Sequence, residues 1–299
     1  MTAGPTRARR HEGRTRDRTR PPLPEPLRVP VVDSHCHLDI ADGPDGEWYG
    51  VDEALRAAAA AGVPRIVQVG CDLPGARWAV QAAREHTSLV AAVALHPNEA
   101  PLLAAAGRLD EALAEIEQLA GADVVRAVGE TGMDTFRTGP EGRAAQEESF
   151  RAHLDLAKRL GKTLVIHDRD AHADVLRVLA EEGAPDRVVF HCFSGDAAMA
   201  RFCTERGWFL SYAGTVTFAN AHPLREALAV TPRDLVLVET DAPYLTPTPH
   251  RGWPNASYLI PLTLRAMAET RGEDVDELAA AVAANTDRAF GGPWSAHAA

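Results

Sequence analysis

Short apolar runs rich in β-branched residues alternate with longer amphipathic segments from residue 31 onward. Short runs of this kind predict buried strands, and apolar positions that recur every three or four residues predict helices. The predicted strands are 31–36, 65–70, 89–95, 124–129, 163–167, 188–192, 208–211 and 235–239. The predicted helices are 51–61, 74–86, 106–119, 143–160, 170–182, 196–206, 221–229, 258–270 and 273–284. The chain therefore repeats a strand followed by a helix eight times.

This alternation indicates an α/β protein with parallel strands, and eight repeats predict a closed (β/α)8 TIM barrel. An open doubly wound sheet is the alternative, but that fold usually carries a glycine-rich turn after its first strand. Here the first strand ends in His35-Cys36-His37 instead. We therefore expect a TIM barrel, with the Pro-rich segment 242–257 as a long loop beside its functional site.

The composition is that of an ordinary globular protein, with 45% hydrophobic and 24% charged residues in a chain of 299. The net charge of −11 is uneven, because residues 1–29 contain eight arginines and only three acids. We predict that 1–29 is a disordered Arg/Pro-rich tail and that 30–292 is a single TIM-barrel domain. The alternative for the tail is an electrostatic arm that binds nucleic acid. The acidic remainder would hold a phosphate-rich substrate only if bound metal reversed the local field.

Several features predict a cytoplasmic protein. The chain has no run of 18 apolar residues and no signal-peptide pattern, so we expect no membrane association. Its four cysteines form no CxxC pair, which fits a reducing compartment and excludes a zinc ribbon. Cys36 and Cys192 each follow a histidine, and strand alternation would turn both into the layer between barrel and helices. We interpret both as small buried residues, and no obligate protein partner is inferred.

The first predicted strand carries two histidines that are two residues apart. Side chains alternate along a strand, so His35 and His37 should face the same side. Inside a barrel, two such imidazoles can share one metal ion, although an HxH pair alone is as often structural. Asp33 has the same phase and could orient one of these ligands.

Further metal-capable residues lie where the other strands end, which is the face on which TIM barrels build their active sites. Glu130 follows the fourth strand between two glycines, where backbone and ligand could come close, although it could instead cap the next helix. His167, His191 and Asp241 follow the fifth, sixth and eighth strands. A lone histidine at a strand end is usually a hydrogen-bonded core group. Four histidines and two acids at five strand ends favour a shared metal, because each unpaired buried polar group would cost roughly 1–3 kcal/mol.

The motifs that contain these residues resemble those of the TatD family of metal-dependent deoxyribonucleases, within the amidohydrolase superfamily. The matching motifs run in unbroken order over about 31–291. They are Asp33-Ser34-His35-Cys36-His37-Leu38-Asp39, Gly129-Glu130-Thr131-Gly132-Met133-Asp134, Ile166-His167-Asp168-Arg169, His191-Cys192-Phe193-Ser194-Gly195 and Glu239-Thr240-Asp241-Ala242-Pro243-Tyr244-Leu245. As a set, these motifs are specific.

The resemblance implies a TIM barrel of the metallo-dependent hydrolase type and a role for each motif residue. His35 and His37 would bind the more buried metal, and Glu130 would serve both metals. His167 and His191 would bind the second metal. Asp241 would be a ligand and the base that activates water. One or two divalent cations are implied, and imidazole with carboxylate suits Mg, Mn or Zn alike.

The resemblance also implies a substrate, namely DNA cleaved at its phosphodiester bonds in the 3′–5′ direction. His96, Arg169 and Arg251 are candidates to contact a phosphate, although each could equally be structural. The chain departs from the family pattern at Thr135, where an aromatic residue is common, and at Trp253-Pro254, where two cations are common. The alternative is a deacylase, lactonase or amidohydrolase acting on an ester or amide. A non-catalytic interaction protein is a third hypothesis, which the complete set of metal-capable residues disfavours.

Overall fold

Parallel strands dominate the architecture of the computed structural model, which describes residues 4–9, 19–43 and 47–294. The ten strands in this part of the chain are β1 (Arg7–Ala8), β2 (Val32–Cys36), β3 (Ile40–Ala41), β4 (Arg65–Gly70), β5 (Leu89–Val93), β6 (Val125–Asp134), β7 (Thr163–Arg169), β8 (Val188–Phe190), β9 (Phe209–Tyr212) and β10 (Val236–Val238). Eight of them form one parallel sheet in the order β2-β4-β5-β6-β7-β8-β9-β10. Each predicted strand is present.

Helices connect successive strands and cover the outside of the sheet. They are α1 (Val51–Ala60), α2 (Leu73–Glu85), α3 (Ala100–Ala105), α4 (Leu109–Ala120), α5 (Arg143–Leu160), α6 (His172–Glu182), α7 (Ala197–Thr204), α8 (His222–Val230), α9 (Ile260–Arg271) and α10 (Val275–Ala289). Local signals begin and end several of them. Asp72 and Asp196 accept hydrogen bonds from backbone N–H groups in the first turns of α2 and α7. Gly161 ends α5 in the left-handed conformation that glycine adopts without strain. The predicted helix 106–119 is α4, and α3 is a short helix that the periodicity did not indicate.

The sheet closes into a TIM barrel, as predicted, at a seam between β2 and β10. The backbone N–H of Asp241 donates to the carbonyl oxygen of His35 over 2.9 Å, and that of His37 donates to Ala242 over 2.8 Å. Deeper in the seam, Ser34 Oγ donates to the carbonyl oxygen of Val238 over 3.0 Å. The seam is therefore closed at the carboxyl ends of the strands, where the site lies.

Two apolar layers hold the barrel together. Inward-facing residues of successive strands fill its interior, among them Val67, Val90, Val165 and Val189, and Phe290 after α10 joins this cluster. Outward-facing strand residues pack against the helices in a larger cluster. None of the helices in the described part of the chain combines the length and apolar composition that a membrane span requires.

The described residues of the N-terminal segment are ordered against the barrel. Strand β1 pairs in parallel with β3, and Trp78 Nε1 donates to the carbonyl oxygen of Gly4 over 3.1 Å. Further along, the Tyr258 hydroxyl donates to the carbonyl oxygen of Pro21 over 2.6 Å. The predicted disorder is therefore wrong for residues 4–9 and 19–29, since specific hydrogen bonds offset the entropy of ordering them. The rest of the predicted tail lies outside the described residues.

Candidate metal centre

Glu130 is the central carboxylate of the site. His191 Nε2 lies 2.7 Å from Glu130 Oε2, and His167 Nδ1 lies 3.3 Å from the same oxygen. His35 Nε2 is 3.8 Å from Oε2, and His37 Nε2 is 3.8 Å from Oε1. These five side chains lie in β2, β6 and β7 or directly after β2 and β8, so four strands of the barrel bring them to one point.

The backbone around Glu130 is shaped by the neighbouring strand. A Cβ at Gly129 would collide with Val165, and a Cβ at Gly132 would overlap the carbonyl oxygen of His167. The glycines therefore allow β6 to lie against β7. The helix-cap alternative for Glu130 is wrong, because β6 continues four residues past it.

His35 and His37 face the centre, as predicted. The strand is not regular up to this point, however. The β2–β4 register shifts between Asp33 and Cys36, and the His35 and His37 rings lie 5.0 Å apart. His37 Nδ1 lies 3.0 Å from the carbonyl oxygen of Val69. In the neutral ring, Nδ1–H donates to that oxygen, so the lone pair of Nε2 points into the site.

The surroundings of His35 show whether the side chains of the centre suit a metal ion. The His35 side chain is fully buried, and neither ring nitrogen has a hydrogen-bond partner among the residues that the structure describes. Its ring stacks on His191 with centroids 3.9 Å apart. Buried polar atoms are nearly always satisfied, so an imidazole in this position fits a cation held between His35 and the adjacent carboxylates.

Acidic groups lie behind two other imidazoles. Glu239 Oε1 lies 3.3 Å from His191 Nδ1 and also accepts the backbone N–H of Cys192 over 2.8 Å. Asp134 Oδ2 lies 3.4 Å from His167 Nε2. A carboxylate behind a histidine is the usual arrangement around a protein metal, because it raises the basicity of the ligating nitrogen. Sequence reasoning missed both roles, although Glu239 and Asp134 stood inside the quoted motifs.

Asp241 approaches the centre from the far side of the seam. Its Oδ1 lies 3.3 Å from His37 Nε2 and 4.0 Å from His35 Nε2. Its backbone is in the left-handed region, with φ 51, which is unusual for a residue with a side chain. Such conformations cost energy and persist only where surrounding bonds impose them. Here the bond to His35 does so.

Asp33 positions the chain next to Asp241. Its carboxylate accepts the backbone N–H of Thr240 over 2.9 Å and the Thr240 hydroxyl over 2.5 Å. Burial raises the pKa of Asp33 to about 7, against the lowering effect of these bonds. Asp33 Oδ1 also accepts the backbone N–H of His35 over 3.3 Å, so Asp33 holds the main chain of one candidate ligand, rather than its ring, together with the Thr240 segment.

His96 lies deeper than a contact at the substrate rim. Its Nε2 is 3.9 Å from Glu130 Oε1, and its ring centroid is 4.4 Å from that of His167. The backbone N–H of Asn98 donates to His96 Nδ1 over 3.0 Å, so the neutral ring carries its proton on Nε2. Burial and the neighbouring His167 lower the pKa of His96 to about 3, which favours this neutral form. His96 therefore presents a donor to the centre.

The two predicted arginines lie nearer the surface and are not among the side chains around Glu130. The Arg169 guanidinium lies 4.0 Å over the ring of Phe136, in the loop that follows β6. The Arg251 guanidinium lies 4.2 Å over Phe218 and belongs to the Pro-rich loop. Both retain a charged face that can meet an anion.

Two cysteines lie at the site. Cys71 Sγ lies 3.0 Å from Glu130 Oε1, and burial holds the pKa of this thiol well above its usual range. Cys192 has φ 43 and is partly exposed, so its predicted place in the barrel–helix layer is wrong. Strand β8 ends at Phe190, and the alternation that the prediction used does not reach Cys192. Cys36 is buried in the outer cluster, as expected.

The opposite charges of the centre stabilise each other's ionised forms. Burial alone would lower the pKa of His191, but the carboxylates of Glu130 and Glu239 outweigh burial and raise it. Burial would raise the pKa of Glu130, but the surrounding histidines hold it well below its usual range. The carboxylate of Glu130 therefore stays ionised, which is the form that binds a cation.

Several sets of donor atoms lie within 4.8 Å of one another. They are His35, Glu130 and His191; His35, His37 and Asp241; His37, Cys71 and Glu130; and His96, Glu130 and His167. The first two sets share His35 and together use five of the six predicted ligands. Imidazole and carboxylate donors of this kind suit several divalent cations, so the donor set leaves the metal open.

Comparisons with known proteins show the family to which this chain belongs. The model of a family described as TatD related DNase matches residues 32–291. An uncharacterized metal-dependent hydrolase of Mycobacterium tuberculosis, TatD, is 48% identical over 268 residues, which cover 88% of this chain and 99% of the relative. The uncharacterized metal-dependent hydrolase YcfH of Escherichia coli K12 is 38% identical over 261 residues, which cover 87% of this chain and 95% of the relative.

Solved structures have the same fold. The crystal structure of YJJV, a TatD homolog from Escherichia coli, matches with a TM-score of 0.78 and 29% identity, over 88% of this chain and 98% of that one. A hydrolase of the TatD family from Entamoeba histolytica matches with a TM-score of 0.75 and 20% identity, over 88% and 98% of the two chains. The second likeness bears on the fold alone.

Proposed function

The chain belongs to the TatD-related DNase family and is a metal-dependent hydrolase, and from this premise we propose that it is a deoxyribonuclease that cleaves DNA phosphodiester bonds from a 3′ end. The observation that carries the proposal is the convergence of four histidines on Glu130 at the mouth of the barrel, with Asp241 beside two of them. This mouth is where TIM-barrel enzymes perform their chemistry.

The metal would be held by the six residues that the sequence pattern singled out. His35, His37 and Asp241 would hold one cation, and His167 and His191 would hold a second. Glu130 lies between the two groups and would serve both. A divalent cation supplies two things when bound: it lowers the pKa of water and it neutralises charge on a phosphate.

The remaining chemistry falls to side chains near the cations. Asp241 would be the base that accepts the proton of the attacking water, because its Oδ1 lies 3.3 Å from His37 Nε2 at the centre. His96 Nε2–H would donate to a phosphate oxygen, since its proton already points to the centre. Positioned acids and bases of this kind contribute about 10²–10⁴-fold to a rate.

Side chains at the mouth support a nucleic-acid substrate. Phe136 is 61% exposed, and the guanidinium of Arg169 covers one of its faces. Exposed aromatic rings beside cations are typical of sites that stack a base and neutralise its phosphate. Arg251 adds a second cation in the Pro-rich loop. Thr135 and Trp253-Pro254 replace residues that commonly help to hold DNA, so Phe136 and the arginines would carry this contact.

The test is hydrolysis of a single-stranded oligonucleotide with a free 3′ end by protein loaded with Mg, Mn or Zn. We expect divalent-dependent release of nucleotides, lost at least about 10²-fold in Asp241→Asn and in His167→Ala. Asp123→Asn makes the same chemical change at an exposed position after α4 and should retain full activity.

Aminoacyl, lactone and amide substrates should be assayed beside the DNA with the same metal-loaded protein. Intact DNA together with metal-dependent hydrolysis of an ester or amide would overturn the deoxyribonuclease assignment. That result would establish the alternative of a deacylase, lactonase or amidohydrolase on the same metal centre.

A further inference from the structure

The N-terminal residues 4–9 form a segment, the N-terminal strap, that precedes the part of the chain matched by the family model. Four bonds fix the strap to the barrel. The backbone N–H groups of Thr6 and Arg9 donate to the carbonyl oxygens of Asp39 and Ala41 over 2.9 and 2.8 Å. The Thr6 hydroxyl donates to Asp39 Oδ2 over 2.6 Å, and Trp78 holds the carbonyl of Gly4. The strap therefore lies just beyond His37, at the mouth of the barrel.

Arg9 lies one aromatic ring away from the metal centre. Its guanidinium carbon is 4.7 Å from the centroid of the Tyr244 ring, and that ring is 6.2 Å from the ring of His37. Arg9 Nη1 donates to the carbonyl oxygen of Pro243 over 2.8 Å and to Asp42 Oδ2 over 3.2 Å. Within the described residues, all of its side-chain hydrogen bonds come from Nη1. The other nitrogens of its fork thus remain available to a ligand.

Arg7 lies on the same strap and contacts Asp72, the residue after Cys71. Its bond to Asp72 is single and long, with 3.5 Å from Nη1 to Oδ2. Its Nε is buried and has no hydrogen-bond partner among the described residues. A buried guanidinium N–H without an acceptor is costly, and the Arg7 side chain as a whole is 36% exposed, so its fork can meet an anion at the mouth.

We propose that Arg7 and Arg9 bind the phosphodiester backbone of a single-stranded polynucleotide whose 3′ end occupies the metal centre. The inference rests on the proposed function. It extends that function, because it makes the strap a part of the substrate site that the family-matched region does not contain.

Charge supports this role. The chain outside its first 29 residues is strongly acidic, and the strap places two cations on the rim of a site built from carboxylates. Arginine forks suit phosphate because they donate two parallel hydrogen bonds to its oxygens. Each phosphate contact by a cation also adds to the salt dependence of binding.

The experiment measures binding and turnover separately, using the full-length chain. Fluorescence anisotropy follows a labelled single-stranded oligonucleotide on metal-loaded Asp241→Asn protein, alone and combined with Arg7→Gln or Arg9→Gln. Arg28→Gln is the matched control, because Arg28 is exposed and precedes the start of β2, at the opposite end of the barrel. We expect the Kd to rise about tenfold for each strap variant and not for the control. The slope of log affinity against log salt should fall by about one.

Turnover distinguishes substrate binding from support of the fold. With Asp241 intact, the strap variants should raise KM for the oligonucleotide and leave kcat nearly unchanged. They should also leave hydrolysis of bis(4-nitrophenyl) phosphate unchanged, because that small diester does not reach the strap. Arg9→Lys should recover part of the affinity by restoring the charge.

Each other result is decisive. Oligonucleotide affinity unchanged in both strap variants overturns the inference, and so does equal loss on the small diester with a lowered melting temperature. If the parent protein binds the oligonucleotide without cleaving it, the deoxyribonuclease assignment fails, and the anisotropy series alone decides the role of the strap. If the parent protein binds no oligonucleotide, the strap inference fails as well.

Discussion

The backbone N–H of Asp241 donates to the carbonyl oxygen of His35 over 2.9 Å, so the bond that closes the barrel also sets the distance between two candidate metal ligands. The same seam brings His37 and Ala242 together. A fold that closed elsewhere would leave Asp241 and His35 on separate walls. Closure of the barrel and assembly of the site are therefore one structural event in this protein.

Substitution of His35 by leucine should separate stability from metal binding. When a chelator removes all metal, we expect His35→Leu to be at least as stable as the parent chain, because leucine fills a similar volume without two unsatisfied nitrogens. A metal at 100 times its Kd should stabilise the parent chain by about 2.7 kcal/mol and the variant much less. Thermal unfolding with and without Mn²⁺ measures both effects. A variant that unfolds well below the parent in chelator would show that His35 is satisfied without metal.

Removal of the carboxylate behind His191 should weaken metal binding. Glu239→Gln preserves shape but loses the charge that holds His191 Nδ1–H, so Nε2 becomes a poorer ligand. We expect metal affinity to fall by about 10–100-fold, measured by calorimetric titration with Mn²⁺. Glu226→Gln, on the exposed face of α8, is the matched control. Equal affinity in the Glu239 variant and the control would remove Glu239 from the site.

Gly132 should tolerate no side chain. Its φ of 136 is outside the region that other residues adopt readily, and an added Cβ would overlap the carbonyl oxygen of His167. We expect Gly132→Ala to lose about 3 kcal/mol of stability, together with activity, because the strain displaces β6 from β7. Gly50→Ala meets no atom within 4 Å and should change little. Denaturant unfolding of both variants checks this prediction. If Gly132→Ala unfolded at the same denaturant concentration as the parent chain, β7 would adapt to the added Cβ at no cost in stability.

A buried histidine should make the protein sensitive to acid. His153 Nε2 accepts the backbone N–H of Leu95 over 3.1 Å, and His153 Nδ1 lies 2.6 Å from the carbonyl oxygen of Ser149. Burial lowers the pKa of His153 from 6.5 to about 4, so the unfolded chain binds this proton more readily than the folded one. The stability that neutral His153 contributes is therefore complete above pH 6.5 and is lost as the pH falls toward 4. The loss amounts to roughly 3 kcal/mol of the free energy of unfolding, because each pKa unit corresponds to about 1.36 kcal/mol.

The measurement for His153 is the free energy of unfolding of the parent chain and of His153→Gln between pH 8 and pH 4. The variant should be less stable at pH 8, and the difference should narrow as the pH falls. His222→Gln, exposed on α8, should follow the parent curve throughout. A constant difference between parent and His153→Gln would contradict the proposed cause.

Much of the fold was predictable because it depends on local order along the chain. The apolar runs predicted all eight barrel strands, and their alternation with helices predicted the TIM barrel. The short helix α3 was missed because six residues carry too little periodicity. Ordering of residues 4–9 was missed for a different reason. Their Arg-rich composition is typical of disorder, and their partners Asp39, Ala41 and Trp78 lie more than 30 residues away.

The amino-acid sequence by itself determined which donor atoms lie in the barrel strands or follow them, because an apolar run is a local property. His35, His37, Glu130, His167, His191 and Asp241 all follow or end such runs. Only the tertiary structure decided which of these atoms meet and in what chemical form. His96 faces Glu130, Glu239 supports His191, and the strap brings Arg7 and Arg9 to the mouth, all through contacts between distant segments. Such contacts follow from barrel closure and hydrogen-bond partners, and the spacing of residues along a chain does not contain them.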